Sequence, residues 1–280
     1  ITVHDLSFIR YPQFNFEWFI KKYTLEVKKS ILRSKKIIAD SISTRNDIVK
    51  FFNVDPKKIN VIYLASDSTF KKLLPKEKDS SILKKYGIDK KYILSVGTIE
   101  PRKDFITLIK AFNHIKQPGA GSDYKLVIAG RTGWKSEATY SERKNSPFKK
   151  DIIFTGRVPD SDLNQIYNQA EFFVYPSIFE GFGMPPLEAM SCGLPVIARD
   201  TSSLKEVIRD SGLLLEDADE KDFGREILNL IKNEDVKEKL RDKSLNRAKS
   251  FSWEKTARIT EGLYRETINP PDSILPFTLF

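Results

Sequence analysis

Two acidic residues, Glu180 and Glu188, stand eight positions apart in FEGFGMPPLEAMSCGLP, residues 179–195. Gly181, Gly183, Pro185 and Pro186 lie between them. A carboxylate accepts hydrogen bonds from hydroxyls, and paired hydroxyls are what sugars present. Glycine has no Cβ, so backbone amides at Gly181 and Gly183 can approach a ligand closely. Pro185 or Pro186 suits the first position of a helix. Glu188 is then expected in the first helical turn, where the dipole favours a carboxylate, with Glu180 in the loop before it. The plainer alternative makes Glu188 a capping-box partner and Glu180 a surface charge.

Two further stretches carry cations. In SVGTIEPRKDF a strand ends at Val96, Gly97 permits a tight exit, and Arg102 and Lys103 arrive just before a helix that opens at Asp104 or Phe105. Helix-end amides favour an anion and the cations neutralise it, which suits a diphosphate. A solvated Arg–Lys pair at a turn is the alternative. VIAGRTGW repeats the arrangement with Gly130 and Arg131, and here an ordinary loop arginine is the alternative. Taken together, cations at two strand ends and sugar-type acceptors at a third describe a pocket for a nucleotide sugar.

Such a pocket needs strands and helices in alternation. Residues 1–3, 36–39 and 60–64 read as strands, with helices over 14–34 and 44–52 between them. Residues 66–79 are polar and lysine-rich and read as a linker. Beyond it, strands are expected at 92–96, 125–129, 152–154, 172–175, 195–198 and 213–215. Helices are expected at 105–114, 160–169, from 186 to 190, 219–232, 235–249 and 253–267. Residues 132–146 read as an irregular surface excursion, and Pro270, Pro271 and Pro276 prevent a continuing helix. Near-continuous Val/Ile/Leu strands alternating with helices indicate parallel sheets covered on both faces. The fold class is therefore α/β, with two lobes. Ligands of such sheets sit beyond the carboxyl ends of the strands.

Composition sets the limits. The chain has 280 residues, of which 40% are hydrophobic and 30% charged, as in a soluble globular protein. A lone cysteine, Cys192, excludes an internal disulfide framework and points to a reducing compartment. No apolar run is long enough to span a bilayer as a helix. The net charge of +9 permits anionic partners. The lysines are scattered in pairs, so no nucleic-acid partner is expected. The lysine-aromatic helix at 14–34 has two readings, a peripheral contact with an anionic membrane or a core-facing helix with a wet side. The chain opens at ITVHDLSF without methionine, and the natural protein is expected to begin upstream.

FEGFGMPPLEAMSCGLPVIA resembles the paired-glutamate signature of glycosyltransferase family 4, the retaining group 1 transferases of the two-lobed GT-B type. VGTIEPRKDFITLIKAF, LVIAGRTGW, IIFTGRVPDSDLNQIYNQAEFFVYPS and SGLLLEDAD match its donor lobe in order. FSWEKTA resembles its closing helix. TVHDLSFIRYPQ and the stretch from IIADS to YLASD resemble the end of its acceptor lobe.

The resemblance implies two Rossmann-like lobes, the first only partly present. Residues 1–72 would be the C-terminal part of the acceptor lobe, 73–252 would form the donor lobe, and 253–280 would supply a closing helix that packs back on the first lobe, and a tail. Arg102 and Lys103 would bind the diphosphate, beside the glycine turn of Gly97 and Thr98. In many relatives a basic residue sits where Ile99 stands here. Glu180 would hold hydroxyls of the transferred sugar, Gly181 and Phe182 would offer amides, with Gly183 in the same loop, and Glu188 would bind the ribose. Arg131 and Val158 would flank the base, and His4 would approach the transferred sugar. Trp134 would cover the base or pack on the domain.

The implied reaction is transfer with retention from a nucleoside-diphosphate sugar, GDP-mannose first, to a glycan or lipid-linked saccharide. It would run without a metal or cofactor, in the cytoplasm or at the inner face of the membrane. A non-catalytic binding protein of the same fold is the competing expectation.

Overall fold

The computed structural model describes residues 1–116 and 121–268. The last twelve residues, with the proline-rich tail expected there, lie outside the described residues.

The first lobe is built on three parallel strands in sequence order. They are β1 (Thr2–Val3), β2 (Ile37–Ala39) and β3 (Ile59–Val61). Between them run α1 (Ser7–Arg10), α2 (Glu17–Arg33) and α3 (Ile42–Phe52). The helix expected over 14–34 is α2, which begins three residues later than expected. Pro12 opens a separate 3-10 turn over Pro12–Phe14, and α2 begins after it. Ile31 is buried beside Phe8, Ile37 and Ile48, with Phe19 and Val27 packed against them. The opposite face of α2 is wet.

The second lobe carries α4 (Ser80–Lys85), β4 (Tyr92–Val96), α5 (Phe105–Ile115), β5 (Lys125–Ala129), α6 (Glu137–Asn145) and β6 (Ile152–Gly156). It continues with α7 (Asp160–Gln169), β7 (Phe172–Tyr175), α8 (Met184–Ser191), β8 (Val196–Arg199), α9 (Leu204–Ile208), β9 (Leu213–Leu215), α10 (Glu220–Lys232) and α11 (Glu234–Ala248). Its strands form a parallel sheet in the order β6-β5-β4-β7-β8-β9. The order reverses between β4 and β7. In a doubly wound sheet that switch point opens a crevice at the carboxyl ends of the two strands. The loops carrying Arg102–Lys103 and Glu180 leave from these two strands. The sheet is apolar on both faces. Leu94, Val127 and Phe173 lie in one cluster, and Ile93, Ile128 and Val174 in the other.

Three local expectations are corrected. Residues 132–146 are not wholly irregular, because α6 occupies most of the segment. Its apolar signal rests on Tyr140, which packs on Phe154 with ring centroids 5.1 Å apart and bonds Thr132 through its hydroxyl at 2.7 Å. The stretch at 66–79 is not a free linker. Phe70 is buried edge-on against Tyr167, and α7 clamps the backbone, Asn168 accepting from the Leu73 amide at 2.7 Å. Finally, α8 starts at Met184, so Glu188 lies in the second turn rather than the first.

The lobes meet through specific bonds. Glu206 accepts from the amides of Ile42 and Ser43, both at 2.8 Å, and from the Tyr63 hydroxyl at 3.1 Å. A side chain of the second lobe therefore caps α3 of the first. The last described helix, α12 (Trp253–Ile268), returns to the first lobe, where Leu263 packs with Ile38 and Ile62.

Candidate functional site

Two features lie beyond the carboxyl ends of the second lobe's strands, a cavity past β4, β5 and β6 and an ion cluster past β4 and β7. The first is a cavity of about 360 Å³ lined by Gly97, Thr98, Gly130, Arg131, Arg157, Val158 and Leu163, among others. It brings together four residues singled out in the sequence, Gly97, Thr98, Arg131 and Val158. A Cβ on Gly130 would overlap the Gly97 carbonyl, so glycine is needed for β4 and β5 to end this close together. Arg157 was missed, although Gly156–Arg157 after β6 repeats the strand-glycine-arginine pattern of Gly130–Arg131. Arg131 and Arg157 are both exposed at the rim.

The second feature is a buried ion cluster. The Lys103 ammonium donates to Glu180 Oε1 at 2.6 Å and to the Tyr175 hydroxyl at 2.7 Å. Arg102 reaches Glu180 Oε2 at 3.1 Å and Glu100 at 2.7 Å, and it donates to the Phe179 carbonyl at 2.6 Å. Ser177 and Tyr175 donate to Glu180 at 2.6 and 2.9 Å. Burial by itself would raise the Glu180 carboxyl. The Lys103 and Arg102 charges outweigh it and hold that carboxyl at about 2. Burial likewise opposes the Arg102 charge, and Glu180 and Glu100 more than restore it. Two cations thus face two carboxylates in a balanced set. A Cβ on Gly97 would come within 3.3 Å of the Lys103 methylenes, so the glycine turn of the cavity wall lies beside this cluster.

The sequence suggested that Glu180 would present a free carboxylate from its loop, with a surface charge as the alternative. In the structure Glu180 is only 7% exposed and already paired. That burial depends on Lys103, 77 residues away in the chain.

The loop after Glu180 packs by backbone. A Cβ on Gly181 would overlap the His4 carbonyl, so the two lobes meet here backbone to backbone. Thr44 of α3 donates to the same two carbonyls, His4 at 3.2 Å and Gly181 at 3.3 Å. Phe182 buries its ring beside Leu187 and Val207, which leaves only its backbone for a ligand. Gly183 caps α8 with φ +109°. Pro185 and Pro186 carry no amide hydrogen, so the donors at this helix start are confined to the residues around Gly183. Ser202 and Ser203, also missed, hold the loop. Ser202 accepts from the Glu180 amide at 2.9 Å, and Ser203 donates to the Glu180 and Phe182 carbonyls at 2.9 and 2.7 Å.

Glu188 lies apart from the ion cluster and accepts from the Tyr167 hydroxyl at 2.9 Å. Burial raises its carboxyl to about 7, against the opposing effect of that hydrogen bond. The two glutamates therefore differ sharply. One is held ionised by cations, and the other titrates near neutrality.

His4 is exposed in the interlobe cleft, and its Nδ1 lies 2.6 Å from Asp40. Asp40 is buried, which pushes its carboxyl up, while the imidazole opposes this. With Nδ1 on Asp40, Nε2 is the ring nitrogen left for a ligand. Trp134 does not line the cavity with Val158. Its indole donates to the Phe14 carbonyl of the first lobe at 2.8 Å.

Comparison with known proteins accords with this geometry. Residues 78–249 match the family described as "Glycosyl transferases group 1". The chain belongs to the group 1 glycosyl transferases. It is 32% identical over 265 residues to an Escherichia coli "O-antigen chain mannosyltransferase B", covering 94% of this chain and 69% of that protein. It is 32% identical over 233 residues to the "O-antigen chain mannosyltransferase RfbU" of Salmonella typhimurium, covering 82% of this chain and 60% of the relative. Among solved structures, a sucrose-phosphate synthase from Thermosynechococcus elongatus aligns with a TM-score of 0.79 at 21% identity, over 95% of this chain and 67% of that one. Anabaena HepE, in complex with UDP and glucose, aligns with a TM-score of 0.79 at 17% identity, over 94% of this chain and 70% of that one. These neighbours share the GT-B fold expected from the sequence.

Proposed function

We propose that this chain binds a nucleoside-diphosphate hexose, GDP-mannose first, and transfers the hexose with retention to a glycan or lipid-linked saccharide. The observation that carries this reading is the adjacency of a cavity and an ion cluster beyond the end of β4. A cavity rimmed by two arginines lies beside a cluster of two cations and two carboxylates. The nucleoside occupies the cavity, flanked by Arg131 and by Val158. Guanine presents two acceptors, N7 and O6, along one edge, and a guanidinium satisfies both together. The diphosphate lies against Gly97, Thr98 and the Arg102–Lys103 turn, and the hexose reaches Glu180 and the amides of Gly181 to Gly183.

Glu188 is the candidate acceptor for ribose hydroxyls. The leaving diphosphate is balanced by Arg102, Lys103 and the helix-start amides, without a metal. Fixed donors of that kind commonly supply the largest share of such catalysis. His4, oriented by Asp40, positions the transferred sugar through Nε2. The mannosyltransferase relatives at 32% identity support mannose as the hexose.

Calorimetric titration of the full-length protein with GDP, UDP and ADP tests the reading. GDP should bind most tightly, and Arg131→Ala should weaken it about tenfold, the loss of one charge-assisted contact. Equal binding of the three nucleotides would reject guanine, and no binding of any would reject the function.

A peripheral membrane contact is proposed through α2. Trp18, Leu25 and Leu32, spaced by seven, are exposed on one ridge between Lys21, Lys22, Lys28 and Lys29. Such a face suits an anionic lipid surface. Co-sedimentation with phosphatidylglycerol vesicles, lost in Trp18→Ser/Leu25→Ser, tests it.

A further inference from the structure

Glu100 is the most deeply buried charged residue of the ion cluster, at 2% exposure. It sits at the start of the Pro101–Lys103 turn, where its carbonyl accepts from the Lys103 amide at 3.1 Å. Its Oε1 accepts from Arg102 at 2.7 Å. Its Oε2 is buried and has no hydrogen bond among the described residues. A buried carboxylate oxygen without a donor is costly to keep, and it calls for a reason.

Holding Arg102 in place is not reason enough. The guanidinium has two other anchors, the Phe179 carbonyl at 2.6 Å and Glu180 at 3.1 Å. A glutamine at position 100 would offer Arg102 an acceptor too, without burying a charge. What Glu100 adds is therefore its charge. Burial opposes the charged form of Arg102, Glu180 and then Glu100 sustain it, and Asp5 adds a smaller share.

That charge bears on the ligand proposed for this turn. Arg102 and Lys103 are matched by Glu180 and Glu100 before any anion arrives. Glu180 is expected to turn its acceptors to the hexose, whereas Glu100 remains beneath the turn. A diphosphate then meets cations that are already partly neutralised, and it binds less tightly than it would to free ones. A transferase gains from this, because the spent nucleoside diphosphate must leave in every cycle and release often limits turnover. Tight binding shared by substrate and product adds nothing to the chemical step.

We propose that Glu100 is a built-in counter-ion of the diphosphate turn, which holds back part of the Arg102 charge and keeps the spent nucleotide releasable. It acts through Arg102, as a positioning residue. The inference rests on the proposed transferase reading.

GDP, UDP and ADP are titrated by calorimetry into the full-length protein, and the tightest of them is carried forward with its nucleoside. Glu100→Gln keeps an acceptor for Arg102 and removes the charge. It should bind that nucleoside diphosphate about tenfold more tightly, through slower dissociation in stopped flow, with the nucleoside Kd within about twofold of the wild type. Glu100→Asp restores the charge and should return the diphosphate Kd to within about threefold of the wild type. Unchanged or weaker diphosphate binding by Glu100→Gln overturns the proposal, as does equal tightening of the nucleoside. A second measurement needs no variant. In the wild type the diphosphate should improve on the nucleoside by less than about a hundredfold, the least that two unmatched charge-assisted contacts would give. A larger gain also overturns the proposal. Binding of none of the three nucleotides by the wild type would instead sink the transferase reading, and this inference with it.

Discussion

Glu188 and Glu180 carry the same side chain and face opposite titration problems. The Glu188 carboxyl is raised by burial to about 7, so the folded protein holds a proton there that the unfolded chain releases near 4.5. The sign follows from linkage. Stability contributed by this group falls as pH rises from about 4.5 to about 7 and stays low above that. A hydroxyl donor binds the ionised form better, so nucleoside affinity should rise through the same window. Guanosine, which has no phosphate to titrate, should bind more tightly at pH 8 than at pH 6, and Glu188→Gln should flatten both profiles. A wild-type guanosine Kd that is constant across that range would exclude Glu188 from ribose binding.

Glu180 is the reverse case. Its lowered carboxyl gives stability that is complete above 4.5 and is lost as pH falls toward 2. Lys103→Ala would leave this buried carboxylate short of its ammonium, so a loss of about 3–5 kcal/mol in urea denaturation is expected. From the sequence, Lys103→Ala should affect binding far more than folding. The packing adds a folding cost of the same importance. The identities of Arg102, Lys103 and Glu180 were legible because each follows a strand and a glycine or proline. Their mutual neutralisation was not, since it joins segments 77 residues apart.

At the scale of elements, the strands were legible almost to the residue. Continuous apolar runs such as YILSV and KLVIA admit no other use in an α/β chain. That the sheets are parallel came from the alternation of elements, whereas the strand order and its switch point are seen only in the structure. α6 escaped because the stretch EATYSERKN offers a single aromatic where an amphipathic stripe would need several. The segment at 66–79 looked free because its anchors are backbone amides, and their partners Asn164 and Asn168 sit on α7. Turn glycines allow a sharper expectation. Gly181→Ala would drive a methyl into the His4 carbonyl, so either the loop or β1 must move. A fall in melting temperature of several degrees is expected, with weaker hexose discrimination at unchanged affinity for GDP. Wild-type stability in this variant would show that the lobes approach less closely than described.

At the scale of the molecule, the lobes are joined by hydrogen bonds and by apolar packing. Among them are the Glu206 cap on α3, the Thr44 bond to the Gly181 carbonyl, the Trp134 and Lys135 bonds to residues 13–15, and the return of α12. The return of α12 was expected from the resemblance, whereas the polar pairings could not be read from one sequence, because their partners are ordinary residues in loops or at a helix start. Removing the cap should cost about 1–2 kcal/mol, the usual range for a helix N-cap. Glu206→Ala should therefore lower the urea midpoint, and Glu206→Gln should recover part of it. An unchanged midpoint in the alanine variant would mean the cap bears no load.

That shared cap also supplies a gauge. The amides of Ile42 and Ser43 are protected from deuterium by a carboxylate that belongs to the opposite lobe. Any swing that parts the halves strips them while the middle of α3 stays shielded. Their exchange rates, followed with and without nucleotide, would count how often the protein gapes, with no label attached.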